Sequence, residues 1–303
     1  MRPSATFAIW ASPWRRSDVP LCLGGSRFRC QGELAMNNMH DSNRRHWNET
    51  AKRWEELRDK DELWQRCPNE PDLGFAGGTL QLIREVVGNI AGKDACVIGS
   101  GDNYAAFALA GMGANVTSVD ISEQQLEVAA RRAEQLGLSI AFVQADAADL
   151  KSIGDEGFDL VCSSNGFFVW IADLHAVFNE ILRILRLGGH YVFYDIHPFQ
   201  RPWKDQIRPL EVEKSYWETG PTGSEKDGTF EFNWTLADIL NPVATSGFIL
   251  RQILERPAED SRYWQDSSYL SGTNERLLDW NENPRAALPV WLTVALQRPA
   301  QYE

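Results

Sequence analysis

Between residues 95 and 195, short apolar runs of strand length alternate with longer amphipathic stretches, and this alternation constrains the fold more than any other feature of the chain. Residues 95–98, 115–119, 139–144, 158–163 and 190–195 are rich in Val, Ile and Phe and too short for stable helices, so they are predicted as strands. Residues 104–111, 123–136 and 174–185 are predicted as helices: the first carries small residues on its packing face, and Gly137 ends the second. Strands separated by helices need crossover connections, and crossovers build a parallel sheet covered on both faces. A further helix at 236–246 and strands at 248–254 and 290–296 follow after the alternation lapses.

Composition limits what such a sheet can serve. The formal net charge of -12, with no stripe of Lys and Arg, argues against a nucleic-acid partner. No apolar run approaches the roughly 20 residues of a membrane span, so no membrane partner is expected. The five cysteines, Cys22, Cys30, Cys67, Cys96 and Cys162, are scattered and never spaced C-x-x-C. They suggest neither a disulfide framework nor a metal site, and a reducing cytoplasm fits them.

Residues 1–35 read differently from the rest, with five arginines, no lysine, and Trp10 and Trp14 amid Pro, Ser and Gly without periodicity. They are expected to form a poorly ordered tail, either a transit peptide or an over-extended start ahead of Met36 or Met39. The pattern turns helical from Asp41, with Trp47, Ala51, Trp54 and Leu57 at spacings of three and four. Residues 36–78 are thus read as an N-terminal helical cap, and 79–303 as the main domain with irregular insertions at about 199–233 and 258–289.

The first strand runs into Gly99-Ser100-Gly101-Asp102-Asn103 and then directly into a helix. Glycines there let the backbone approach a ligand, and the helix start offers free amides. Asp120 ends the next strand, where a carboxylate accepts from both hydroxyls of a ribose; the competing role is a helix N-cap, which Ser122 fills equally well. A dinucleotide fingerprint requires its third glycine at the position held by Tyr104, which disfavours a nicotinamide cofactor. Asp146 ends the third strand and is placed to accept from an adenine amine, or is simply a surface-loop acid.

The segments VIGSGDNYAAFALAGMGANVTSVDIS, IAFVQADAADL, FDLVCSSNGFF and ILRILRLGGHYVFYD stand in an order and spacing that resembles class I S-adenosylmethionine-dependent methyltransferases over about residues 90–200. The resemblance implies an α/β, Rossmann-like, seven-stranded, mostly parallel sheet with helices on both faces and an antiparallel C-terminal strand. It further implies that Gly99, Ser100 and Gly101 pass beneath the methionine part of S-adenosylmethionine. Asp120 would hold the ribose and Ile121 pack on adenine, while Asp146 and Ala147 would read its edge. Asn165 would lie beside the amino-acid moiety or the methyl. Two positions depart from the family pattern: its usual acid two residues before the first glycine is Val97, and its third glycine is Asn103.

The expected function is direct methyl transfer from the sulfonium to a small-molecule acceptor, by a monomer or homodimer. The alternatives are an NAD(P)-dependent oxidoreductase and a non-catalytic S-adenosylmethionine-binding protein. A sulfonium needs no protein nucleophile, only alignment and exclusion of water. Trp54, Phe168, Trp170, Trp203, Tyr216 and Trp234 are expected to line an apolar acceptor pocket under a lid of N-terminal helices and the 199–233 insertion; the alternative is that they pack these extras onto the core. His197, after the fifth strand, is the candidate general base, against a loop histidine bonded to backbone. His175 is read as structural, and His40 and His46 as part of a mobile N-terminal region.

Overall fold

The computed structural model describes residues 27–164, 166–224, 228–265 and 273–300. The chain divides into two compact units, Met1–Ala35 and Met36–Glu303, and the sheet and its cavity belong to the second. Most of the expected tail lies outside the described residues. The first helix, α1, spans Arg27–Asp61, so it begins well before Asp41. The apolar periodicity marks one face of the helix, not where the helix begins.

After α1 come a single turn α2 (Leu63–Arg66), a 3-10 turn at Pro71–Gly74 and α3 (Thr79–Val87). The alternating core follows: β1 (Asp94–Ile98), α4 (Tyr104–Gly111), β2 (Asn115–Asp120), α5 (Glu123–Leu136), β3 (Ile140–Gln144), β4 (Phe158–Ser163), α6 (Leu174–Ile184) and β5 (Leu185–Ile196). A small hairpin β6 (Thr222–Ser224) and β7 (Thr229–Glu231) precedes α7 (Leu236–Ser246), β8 (Ile249–Arg256) and β9 (Trp291–Gln297). Ser122 caps α5 by accepting from the Gln125 amide, and Asp173 caps α6 from the Ala176 amide, satisfying amides that a helix start leaves open.

The main sheet has seven strands in the order β3-β2-β1-β4-β5-β9-β8. β1 to β5 run parallel, and β9 is antiparallel to both of its neighbours, β5 and β8, as predicted. Strand order reverses between β1 and β4, which opens a crevice beyond their C-terminal ends. One difference from the sequence reading lies in β5, which already pairs at Leu185 with Phe158 and then shifts register before His190. Gly188 and Gly189, which lie between the predicted helix and strand, form this irregularity inside the strand, where Arg186 reaches back to Asp94 and Asp159.

Alternate residues of each strand feed opposite faces. Cys96, Ile98, Val161, Tyr191 and Phe193 pack with α6 and α7, whereas Ala95, Val97, Leu160, Cys162 and Val192 pack with α3 and α4. Each fully buried large side chain contributes about 1.5–3 kcal/mol, and the ring cluster of Phe168, Phe178, Tyr191 and Phe193 supplies four on one face. The pleat also sends Cys96 and Cys162 to different faces, so neighbouring strands do not bring these thiols together. Among the described residues, no helix is long and apolar enough to cross a membrane.

Burial makes these thiols inert. It pushes the Cys67 thiol up to about 12 and raises Cys96 and Cys162 further. Iodoacetamide at pH 8 should leave all three unlabelled in the native protein, because the thiolate fraction at Cys67 falls roughly a thousandfold below that of an exposed cysteine. Peptide mass spectrometry checks this; rapid native labelling of Cys67 would contradict its buried position.

Candidate active site

β1 delivers the chain into a turn at the crevice whose backbone only particular residues accept. Gly99 has φ +60° and Gly101 φ +47°, and Asn103, at the family's third-glycine position, also lies in the left-handed region at φ +64°. Asparagine is among the few side chains that tolerate this conformation. Here it is fully buried and bonded: its Oδ1 accepts from Ser118 Oγ at 2.5 Å, and its Nδ2 donates to the Gly101 carbonyl at 2.8 Å. The departure from glycine is thus accommodated by the turn itself. The other departure, Val97, sits in the core facing α3 and α4.

Asp120, at the end of β2, closes the turn from the neighbouring strand. Its Oδ2 accepts from the Gly101 amide at 2.8 Å, and its Oδ1 accepts from the Ser122 amide at 2.9 Å. Burial pushes its carboxyl above the ordinary value, opposed by these amide bonds. Ser122, not Asp120, is the cap of α5.

These groups border a cavity of about 310 Å³ over the ends of β1, β2 and β4. Of the residues the sequence nominates for the cofactor, Gly99, Ser100, Gly101, Asp120, Ile121, Asp146 and Ala147 all line it. Asn165 lies outside the described residues; Ser164 and Gly166 on either side of it line the cavity. Asp146 is bonded on both oxygens, Oδ1 to the Ala148 amide at 2.9 Å and Oδ2 to His40 Nδ1 at 2.6 Å. A carboxylate oxygen carries two lone pairs, so capacity for a further donor remains.

Several expectations are corrected. His197 does not reach the cavity: it is fully buried, its Nδ1 accepts from the Phe199 amide, and its Nε2 lies 2.8 Å from Glu255. Burial lowers its pKa, and it ties the end of β5 to Glu255 of β8. Phe168 is packed among Phe178 and Phe193 in the core. Trp203 donates to the Phe199 carbonyl, Tyr216 Oη accepts from the Leu236 amide, and Trp234 stacks on Phe232 while donating to the Ile171 carbonyl. None of these four borders the cavity: Phe168 is part of the core, Trp203 bonds within the insertion, and Tyr216 and Trp234 join the insertion to the start of α7 and to Ile171. Trp54 and Trp170 do line it, with Trp47 and Phe167 beside them.

His40, expected to be mobile, is instead buried, bridging Asp146 and the Ala172 amide. It belongs to a face of α1 that the sequence reading undervalues. His40, Asn43, Trp47, Trp54 and Arg58 recur at helical spacing and all line the cavity. The neighbouring face of α1 is tied to α5 through Arg44–Glu123, Asn48–Ser122 and Asp59–Arg132. Arg58 sits against the rings of Trp54 and Tyr104 at 5.5 and 5.4 Å, and pairs with Asp102 at 3.0 Å. The signal is present as a stripe of polar and aromatic residues, but an amphipathic pattern does not say what its buried face covers.

Comparison with known proteins agrees with this geometry. The model of a methyltransferase domain matches residues 96–193. The chain is 36% identical over 106 residues to a demethylmenaquinone methyltransferase from Clavibacter sepedonicus, covering 35% of this chain and 42% of that protein. It is 32% identical over 129 residues to the protein of the same name from Leptospira interrogans, covering 40% and 51%. The chain thus spans about half the length, or less, of the curated relatives it matches. An S-adenosylmethionine-dependent methyltransferase structure from Mesorhizobium loti shares the fold, with a TM-score of 0.56 and 23% identity over 74% of this chain and 98% of that one. The strand order with its antiparallel β9, the glycine turn closed by Asp120 and the segment matched over residues 96–193 together support a class I S-adenosylmethionine-dependent methyltransferase domain.

Proposed function

We propose that the protein transfers a methyl group from S-adenosylmethionine to a small planar, aromatic acceptor. The observation that carries the cofactor is the open cradle at Gly101: a Cβ built there meets nothing within 4 Å, although the residue is locked to Asp120 and borders the cavity. A backbone held rigidly but left bare on one side suits close approach of a ligand. Asp120 would take the ribose hydroxyls, Ile121 and Ala147 the adenine ring, Asp146 its amine, and Arg58 the carboxylate. The cavity falls within the size range of ligand sites, about 300–1,000 Å³.

When bound, the cofactor supplies a methyl carbon already made electrophilic by its positive sulfur. The chain's part is to bind, orient and keep water out. α1 roofs the cavity, and its ties to α5 and to the 170–172 segment hold that roof in place. Trp47 stands edge-on to Trp170 at 5.2 Å and tilted to Trp54 at 6.1 Å, which makes a continuous aromatic wall. Such a wall suits either a flat ring or a cation. Arg58 already lies against Trp54, so the cation place on that ring is taken and the rest of the wall favours a neutral ring. The three buried free thiols support a reducing cytoplasmic setting.

The nicotinamide and non-catalytic alternatives are not favoured. Calorimetry with S-adenosylhomocysteine, S-adenosylmethionine, NAD and NADP tests the reading: heat with the first two only is expected, and heat with the nicotinamide cofactors only would overturn it. Arg58→Leu should weaken S-adenosylhomocysteine by about tenfold or more, the scale of one charge-assisted hydrogen bond. Adenosine, which lacks the carboxylate, should bind both proteins alike; equal losses for the two ligands would remove Arg58 from that role.

A further inference from the structure

We propose that Asp195 is a positioning residue: from the end of β5 its buried carboxylate holds residues 166–168 so that Phe167 seats on Gly99 and Trp170 turns toward the cavity. This rests on the methyltransferase reading of the cavity, but it concerns a residue outside the cavity's lining.

β4 and β5 last pair at Ser163 and Phe193, after which the two chains diverge around the crevice. Two residues further along β5, the side chain of Asp195 takes over the work of a strand. Oδ1 accepts from the Gly166 amide at 3.0 Å and from its own neighbour Ile196 at 2.7 Å, and Oδ2 accepts from the Phe168 amide at 3.2 Å. The carboxylate is only 1% exposed, with Arg201 3.6 Å from Oδ1. An acid buried so deeply persists only where donors replace its water, and here the donors are mostly amides of the β4 loop.

The consequence lies between the two clamped amides. Gly166 turns at φ +80°, Phe168 points into the core, and Phe167 is left with its ring against Gly99, so close that no Cβ fits between them. Trp170 follows in the same turn and meets Trp47 of α1. Two walls of the cavity, the glycine turn and the aromatic wall, are therefore registered to one another through a single carboxylate. An amide in its place has one oxygen for the two loop amides and presents an NH₂ group to the other.

Asp195→Asn should retain the far-ultraviolet spectrum of the wild type, lose the near-ultraviolet circular dichroism of the Trp47–Trp170 pair (identified with Trp170→Phe), and bind S-adenosylhomocysteine about tenfold more weakly. Phe167→Ala should produce a similar loss, and the double variant should be no worse than the single ones, because both act on the same contact. Binding within twofold of wild type with an unchanged near-ultraviolet spectrum, or full additivity with Phe167→Ala, would overturn the proposal. Should Asp195→Asn fail to fold, hydrogen exchange of the unsubstituted protein decides: the Gly166 and Phe168 amides should exchange as slowly as the core of β5, and exchange at loop rates would overturn it. If the wild type itself binds no S-adenosylhomocysteine, the methyltransferase reading fails, while the spectrum and the exchange rates still report on Asp195.

Discussion

Gly99→Ala should abolish measurable binding of S-adenosylhomocysteine and lower the melting temperature. Two independent costs add at this position. At φ +60° an L side chain sacrifices roughly 1–2 kcal/mol of backbone energy. The new Cβ would also overlap the ring of Phe167, whose Cε2 lies 2.9 Å from where that atom must go. Phe167 is only 6% exposed, so the ring cannot swing away without disturbing the loop that Asp195 holds. Gly101→Ala is the informative partner. It has a similar positive φ of +47° but no protein atom within 4 Å of the added methyl, so its melting temperature should fall less. Its affinity should still drop, because the methyl would occupy space the ligand requires. Thermal unfolding and calorimetry on the two variants check this ordering; a Gly99→Ala variant that binds within threefold of wild type would remove the glycine turn from the site.

Asp120→Ala should weaken S-adenosylhomocysteine by roughly a hundredfold, the loss of about 3 kcal/mol in charge-assisted bonds to two hydroxyls. Part of that loss is indirect, since the carboxylate also holds the Gly101 amide and the start of α5. Asp120→Asn separates the two: it keeps one acceptor and the shape, and should lie between wild type and alanine. The pH dependence has a definite sign. Burial raises the folded-state pKa of Asp120, so this group favours the folded state below its unfolded pKa, and that contribution is lost as pH rises through the folded value. Ligand affinity runs the other way, because the ionised form accepts from both hydroxyls. Affinity should therefore fall on acidification at a pH above that of an exposed aspartate. The same profile in Asp120→Asn would assign the titration to another group.

The parts of the site carried by the alternating strands were legible because their causes are local. A glycine pair after a strand and an acid ending the next strand occupy fixed places in a parallel sheet, and Ser122 as the cap of α5 follows from its own sequence neighbourhood. What the sequence alone misplaces is the aromatic wall of the cavity. Trp203, Tyr216 and Trp234 are as aromatic as Trp47, yet only Trp47 meets the cavity, because the others bond to Phe199, Leu236 and Ile171 away from it. His197 was nominated by its position after β5, and the pairing with Glu255 that occupies it comes from β8, far along the chain. Asp195 is silent in the sequence for the same reason: nothing near it announces that its partners are Gly166 and Phe168.

By itself the sequence determined the sheet, its helices and the glycine-turn end of the cavity, because hydrophobic period, caps and positive-φ turns are written within a few residues of where they act. Only the tertiary structure decided which face of α1 roofs the cavity, which aromatics form its wall, and how Asn103 replaces a glycine by bonding Ser118. Those outcomes depend on contacts between segments distant in the chain, and a side chain's chemistry does not name its partner until packing has placed one beside it.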